Sequence, residues 1–330
     1  MRVKVAYLLA ACMVAALSAA GAIQAQRYPT KSVRLILPFP PGGSTDILGR
    51  IAADALSRAW NVPVIADNRA GATGNIGAAL CAKSPSDGYT LCMLTVAQSI
   101  APSIYPDLPF DPLKDFSHVT LLATLPSLLV AHATVPVKNV REMVAYAKSR
   151  PGALNYASTG NGSGSQLMME MLKLRTGTHL VHIPYKGAGP AMVDQLSGQV
   201  HISFSAAIST MPFLNQGKLV AIAVSTRDRF PPLPDLPTVD ESGIKGFDGA
   251  AWQGMSMPAG VPRAIVNRIN ADLVNALKSP AMKEQIIGMG GMVAANLPAE
   301  FTAFIRTEIG KWATVAKAAN VKGDWALHLF

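Results

Sequence analysis

A turn of glycine and hydroxylated residues is the first place in the sequence where chemistry could occur. The segment Gly42–Asp46 follows the apolar run 33–37, and apolar residues then recur at Ile47, Ile51 and Ala55, which is helical spacing. The pattern predicts a strand, a tight turn and a helix. The first N–H groups of such a helix have no acceptor within it and lie at the positive end of its dipole, and glycine lets a ligand approach the backbone. This geometry suits a carboxylate or a phosphate.

Capping of the helix is the alternative role for the same residues. The side-chain oxygens of Ser44, Thr45 and Asp46 could accept hydrogen bonds from those N–H groups. Asp46 leaves a further alternative open, because its carboxylate could orient a water molecule or receive an ammonium group from a ligand. Recurrence favours the anion site: the turns 158–165 and 186–190 also stand between strand-like and helix-like segments. Two such turns facing each other would form a cleft.

The elements around these turns indicate an α/β protein with two lobes. Strand and helix patterns alternate from residue 33 to residue 94, which predicts a parallel sheet with helices on both faces. Ligands of such sheets bind at the carboxyl ends of the strands, where the first turn lies. The proline-rich connection 101–112 precedes the short strands 119–122 and 127–130 of a second lobe, and the prolines of 231–238 mark the return. A length of 330 residues fits two lobes better than one core.

The N-terminus has the features of a secretory signal peptide. Arg2 and Lys4 precede an apolar run from Val5 to Ala22, and small residues then end at Ala25, the expected cleavage site. A membrane anchor is an alternative, although the run is short and rich in alanine. Lipidation of Cys12 is another.

Charge and cysteine content restrict the class of partner. The chain has a formal net charge of +9 and stays basic without its leader, but it contains no lysine and arginine cluster and few aromatic residues, which argues against nucleic acid. Acidic small molecules fit better.

The cysteine content predicts a disulfide. Without Cys12 only Cys81 and Cys92 remain. An even pair that closes a short loop in an exported chain predicts a structural disulfide rather than half a zinc site.

Five motifs in order give the chain a resemblance to a known family. They are Pro38–Asp46, Asn68–Asn75, Asp87–Leu91, Pro184–Gly187 and Leu236–Gly243. Together they resemble the Bug-type extracytoplasmic receptors, the solute-binding components of tripartite tricarboxylate transporters. The resemblance covers Tyr28 to about Val321.

The resemblance implies a fold, a location and a set of partners. The expected fold is a type II-like, two-lobe Venus flytrap of a periplasmic binding protein, each lobe a mixed or parallel sheet flanked by helices. The expected organisation is a signal peptide over 1–25, the first part of lobe one over 26–118, lobe two over 119–228, and over 229–330 a return segment, the rest of lobe one and the C-terminal helices. The expected protein is a periplasmic monomer that binds a small carboxylate and the membrane subunits of the transporter, with no cofactor, metal or nucleic acid. A loaded receptor could also dock on a sensor kinase.

The resemblance also implies which residues hold the ligand. In this family two strand-turn-helix units bind a carboxylate through main-chain N–H groups, hydroxyls and bridging waters rather than an arginine clamp. Carried onto this chain, the first unit is Pro41, Gly42, Gly43, Ser44, Thr45 and Asp46, and the second is Ser158, Thr159, Gly160, Asn161, Gly162 and Ser163. We expect the first to recognise the carboxylate alone. The distal part of the ligand should be read by the second unit and by Tyr185, Lys186 and Ala206.

A hydrolase is the main rival function. Six histidines could act as bases, and Ser44 or Ser163 at a helix start could act as a nucleophile. The sequence lacks the Gly-x-Ser-x-Gly elbow, however, and the spacing of Gly160, Gly162 and Gly164 does not match a dinucleotide fingerprint. The sequence therefore favours a receptor and predicts no catalysis.

Overall fold

The computed structural model describes residues 28–323, apart from the side chain of Ile208. The predicted signal peptide with Cys12 and Ala25, and the C-terminal segment 324–330, lie outside the described residues. The strands are β1 (Val33–Leu37), β2 (Val64–Asn68), β3 (Thr90–Thr95), β4 (Phe116–His132), β5 (Asn155–Ser158), β6 (Val181–Pro184), β7 (Ile202–Ala206), β8 (Leu219–Val224), β9 (Ala250–Pro258) and β10 (Met292–Val293). The helices are α1 (Ser44–Trp60), α2 (Asn75–Ala82), α3 (Val96–Ile104), α4 (Val140–Ser149), α5 (Gly164–Thr176), α6 (Ala188–Leu196), α7 (Ala207–Asn215), α8 (Arg263–Lys278), α9 (Pro280–Gly288) and α10 (Pro298–Ala318).

The first sheet combines the predicted parallel unit with later strands. β1 pairs in parallel with β2 and β3, as the alternation of strands and helices predicts. β9 then pairs antiparallel with β3 and with the first half of β4, and the short β10 covers part of β4. The chain thus returns to this sheet after building the second one.

The long strand β4 connects the two sheets. Its residues up to Pro126 pair with β9, and its residues from Ser127 pair with β7 and β8. Proline has no N–H to give to a ladder, so it is tolerated where the pairing partner changes. The sequence predicted two short strands here and a lobe boundary between residues 118 and 119, whereas the pairing changes inside one continuous strand at Pro126.

The direction of β4 brings the carboxyl ends of both parallel sets together. β1, β2 and β3 run parallel to β4, while β7, and with it β5 and β6, runs antiparallel to β4. Both sets therefore point their carboxyl ends at the middle of β4. The pairing of Ser127 with Ala206, the last residue of β7, places the second set at this crossing point.

The buried core runs through both lobes. One apolar cluster includes Ile36 of β1, Leu129 of β4, Leu167 of α5 and Trp312 of α10. Helix α10 is anchored to β9 because the indole N–H of Trp252 donates to Glu308 Oε2 at 3.1 Å. Lys311 on the same helix donates to the carbonyl of Asp248 at 3.3 Å, so α10 also contacts the part of the chain that precedes β9.

The two cysteines of the described region are joined. Cys81, at the end of α2, forms a disulfide with Cys92 of β3, and both residues are fully buried. The Cα atoms are 6.2 Å apart. Over residues 28–323, no helix is both long and apolar enough to cross a membrane.

Candidate functional site

The first turn has an open outer face. Helix α1 starts at Ser44 after the N-cap residue Gly43, and no side chain caps it. Gly42 has φ +89°, a conformation that favours glycine, whereas Gly43 has an ordinary φ of −80°. A Cβ atom on either glycine would meet no other atom within 4 Å. The first N–H groups of α1 therefore face a space that the folded chain leaves unfilled.

Asp46 holds this turn in place. Its carboxylate is 4% exposed and accepts hydrogen bonds from Gly42 N, Arg50 Nε and Asn68 Nδ2, each at 2.9 Å. Burial alone would raise the pKa of Asp46, but the hydrogen bonds from Gly42, Asn68 and Arg50 together keep that pKa below its usual value. With three donors already bound, the ionised carboxylate acts on the turn itself.

The side chains that follow the turn are bound to a residue that the sequence did not indicate. Gln253 Nε2 donates to Ser44 Oγ at 3.0 Å and to Thr45 Oγ1 at 3.1 Å. Neither hydroxyl accepts a capping hydrogen bond from the first N–H groups of α1. The available signal was a glutamine inside the mostly apolar run Ala250–Pro258, but its hydrogen bond to Thr45 is a contact over long sequence separation.

The second turn satisfies most of its own N–H groups. Thr159 N donates to Ser165 Oγ, Gly160 N to Ser158 Oγ, and Gly162 N to Gln166 Oε1. Ser163 caps α5 by accepting from Gln166 N. The family resemblance implies main-chain N–H groups, hydroxyls and bridging waters as ligand contacts in both units. In the second unit, three of these N–H groups are bonded to side chains of the protein.

The second turn also lies against the first lobe. A Cβ atom on Gly162 would overlap with Ile104 of α3, and one on Gly164 would lie 3.1 Å from Val96 Cγ1. Helix α3 of the first lobe thus packs directly beneath the turn that precedes α5. The two predicted turns are therefore brought to the same region, where the carboxyl ends of both strand sets meet.

Ser158 forms a hydrogen-bonded pair with a histidine. Its buried hydroxyl lies 2.6 Å from His182 Nε2, and the histidine ring stacks on Tyr156 with centroids 4.8 Å apart. Burial lowers the pKa of His182, which favours the neutral ring. The other ring nitrogen lies 3.2 Å from the Gln166 amide rather than from a carboxylate, so the pair lacks the acidic third member of a hydrolytic triad.

The remaining predicted ligand residues, Tyr185, Lys186 and Ala206, belong to the second lobe and differ in how firmly they are held. The hydroxyl of Tyr185 donates to Asp194 at 2.8 Å, and burial together with this carboxylate raises the pKa of Tyr185 to about 12. Lys186 next to it is exposed, and Ala206 is half-buried beside Ser127 at the crossing point. Tyr185 is thus held by α6, while Lys186 and Ala206 present their side chains more freely.

Two surface grooves of the described region lie away from the predicted ligand residues. Each groove has a volume of about 440 Å³; one lies between α1 and α9 near Arg58, and the other lies beside Arg34 on β1 and the edge strand β2. Neither contains a predicted ligand residue. Over the part of the chain that the structure describes, no group of three or more histidine, cysteine, aspartate or glutamate residues could hold a metal ion.

The sequence and the fold match known proteins closely. Residues 48–321 match the family described as TctC, the tripartite tricarboxylate transporter family receptor. The protein BugT of Bordetella pertussis (strain Tohama I) is 34% identical over 311 residues, 94% of this chain and 95% of that protein.

Solved structures agree with the family match. Rpa4515 of R. palustris with adipate has a TM-score of 0.82 and 34% identity, covering 89% of this chain and 99% of that one. MatC (Rpa3494) of Rhodopseudomonas palustris with bound malate has a TM-score of 0.78 and 30% identity, covering 87% and 99%. The predicted two-lobe α/β fold is confirmed, and the matched family is one of solute-binding receptors rather than enzymes. The chain belongs to the tripartite tricarboxylate transporter receptor family, which includes the Bug proteins.

Proposed function

We propose that this protein is a periplasmic receptor that captures a small organic carboxylate between its two lobes and delivers it to the membrane subunits of a tripartite tricarboxylate transporter. Membership of the family supports the receptor role. The adipate and malate bound to two similar proteins support a small organic acid as the ligand class.

One observation carries the proposal most directly. The turn Gly42–Gly43 is open on its outer face, no side chain caps the helix behind it, and Asp46 fixes its shape from below. An uncapped helix start with room for a ligand is an anion site that requires no arginine or lysine. We infer that Pro41 to Thr45 bind the ligand carboxylate, with Asp46 as the support of the turn.

The second lobe is proposed to choose between acids. Three of the N–H groups of residues 159–163 bond to the side chains of Ser158, Ser165 and Gln166, so this unit offers a shaped wall rather than a second copy of the first site. Lys186 follows Tyr185, whose N–H bonds to the carbonyl of Ser158 at 3.1 Å, and Ala206 ends β7 beside Ser127. We assign the distal part of the ligand to these residues.

The lobes and the oligomeric state belong to the same proposal. Because pairing changes inside β4, we assign residues 28–126 and 250–323 to the first lobe and residues 127–249 to the second. All proposed ligand residues lie in one chain, so a monomer suffices. Docking of the ligand-loaded receptor on a sensor kinase also stays a prediction, and no feature of residues 28–323 favours it.

A thermal-shift screen tests the proposal. Purified mature protein would be heated with dicarboxylates, tricarboxylates, acidic amino acids and aromatic acids, with a sugar and a nucleotide as controls. A ligand that binds only the folded state at 100 times its dissociation constant adds about 2.7 kcal/mol to the free energy of unfolding. At least one acid should raise the melting temperature. A screen in which no acid does so, while the sugar or the nucleotide does, would overturn the proposal.

A further inference from the structure

Gln253 lies at the centre of the strand that returns to the first sheet. Its backbone pairs with Thr95 at the end of β3 and with Ala123 of β4. Successive residues of a strand face opposite sides, and the neighbours Trp252 and Gly254 both face α10. Gln253 therefore points away from α10, toward the start of α1.

The amide of Gln253 is buried and only half satisfied. The residue is 3% exposed, and its Nε2 atom bonds to the hydroxyls of Ser44 and Thr45. Its Oε1 atom is buried and has no hydrogen-bond partner among the described residues. An apolar side chain would avoid this cost, since a buried polar atom without a partner is unfavourable. A buried amide kept at this cost is what we expect of a residue that serves binding rather than stability.

The hydrogen bonds of Gln253 determine what the two hydroxyls can offer a ligand. A hydroxyl group has one hydrogen to donate and two lone pairs that accept. Because Nε2 occupies a lone pair on Ser44 and on Thr45, each hydroxyl keeps its own hydrogen for another acceptor. These hydrogens lie at the helix start where the first N–H groups of α1 also point.

We propose that Gln253 is a positioning residue for carboxylate binding at the first turn. It turns the hydroxyls of Ser44 and Thr45 into donors, so that they act together with the main-chain N–H groups on one anion. The ligand contacts the turn, and Gln253 acts through the two hydroxyls. This inference rests on the proposed function, because it requires that an acid binds at Gly42–Thr45.

Two substitutions of Gln253 test the direction of the hydrogen bonds. Gln253→Leu removes the amide and should weaken binding of the best acid about ten- to a hundredfold in isothermal titration. Gln253→Glu should weaken it at least as much at pH 7.5, because an ionised carboxylate only accepts and draws the hydroxyl hydrogens toward itself. Near pH 5 the buried glutamate gains a proton, regains one donor and one acceptor, and should recover much of the affinity relative to wild type at the same pH.

A double-mutant cycle and a matched control separate positioning from stability. Ser44→Ala should weaken binding in the wild-type background but add little to Gln253→Leu, because the two residues act as one unit. The control is Asn270→Leu: Asn270 is another buried amide of the first lobe, bonded to the carbonyls of Val119 and Asn296. It should lower the melting temperature and leave affinity unchanged.

The results distinguish this inference from the proposed function. If wild type binds an acid and Gln253→Glu binds it equally well at pH 7.5, or folded Gln253→Leu keeps wild-type affinity, then Gln253 does not position the site and the receptor role stands. If wild type binds no acid, the proposed function fails and this inference falls with it. Should Gln253→Leu not fold, the pH dependence of Gln253→Glu decides.

Discussion

The folded chain does not require a glycine at position 43. Its φ of −80° suits any residue, and an added Cβ would touch nothing within 4 Å. We predict that Gly43→Val leaves the fold intact but fills the space over the first N–H groups of α1. Affinity for every acid should fall by similar factors, at least about tenfold, because several hydrogen bonds to one carboxylate are blocked. Isothermal titration against a short acid panel measures this.

Gly310→Ala is the matched control for that substitution. Gly310 lies within α10, and a Cβ there also meets no atom within 4 Å, so the variant should keep wild-type affinity. Gly42 is a poorer choice, because its φ of +89° would add backbone strain. Unchanged affinities in Gly43→Val would show that the first turn is not the carboxylate site.

Asp46 should make the stability of the turn depend on pH. Because its native pKa is lowered, the stabilisation is fully present above the unfolded pKa of about 3.9 and is lost as pH falls through the native pKa. We predict that Asp46→Asn lowers the free energy of unfolding by about 1–3 kcal/mol at pH 7, since the amide cannot accept from Gly42, Arg50 and Asn68 as a carboxylate does. In urea unfolding, the difference in free energy of unfolding between wild type and Asp46→Asn should become smaller below about pH 4.

Asp54→Asn on the same helix provides the comparison for Asp46. Asp54 pairs with Arg58 at the exposed surface, where ion pairs contribute little. Asp54→Asn should change the free energy of unfolding only slightly, both at pH 7 and below about pH 4. An Asp46→Asn protein as stable as wild type at pH 7 would contradict the supporting role of this carboxylate.

The disulfide fixes an element that borders the site. It joins the end of α2 to β3, and β3 ends at Thr95, next to Gln253. We predict that replacing both Cys81 and Cys92 by alanine lowers the free energy of unfolding by about 2–3 kcal/mol, through the loss of a closed loop in the unfolded chain. Mass spectrometry of unreduced protein from the periplasm should find no free thiol at either position. Two free thiols there would end the prediction.

Local pattern explains which elements the sequence could predict. The unit β1, turn and α1 depends on neighbours in the chain, so apolar spacing and two glycines were enough to locate it. Helix α3 was missed because Pro102 and the prolines after it resemble a connection, yet the helix contains Pro102 near its end. The role of Gln253 could not be predicted from the sequence. It depends on contacts with Ser44 and Thr45, which are separated from Gln253 by 209 and 208 positions in the chain.

At the scale of the whole molecule, the two lobes share their interior. The apolar cluster extends from Ile36 in the first sheet through Leu129 to Tyr156 and Leu167 in the second lobe. Helix α10 of the first lobe strengthens this connection, because Lys311 Nζ donates to the carbonyl of Asp248 in the second lobe at 3.3 Å. The sequence predicted two lobes with a connection between them, but a shared core depends on contacts between distant segments that apolar spacing does not specify.

We predict that the shared core makes the receptor unfold in a single cooperative transition. Proteins with separate domains commonly unfold in steps, and a ligand then stabilises only the domains that hold it. Here neither lobe can lose its packing without exposing the cluster that continues into the other. Scanning calorimetry should give one peak whose calorimetric and van't Hoff enthalpies agree. An acid at 100 times its dissociation constant should move the entire peak to higher temperature, because it adds about 2.7 kcal/mol to the free energy of unfolding. Two peaks, of which the acid moves only one, would mean that the lobes fold independently.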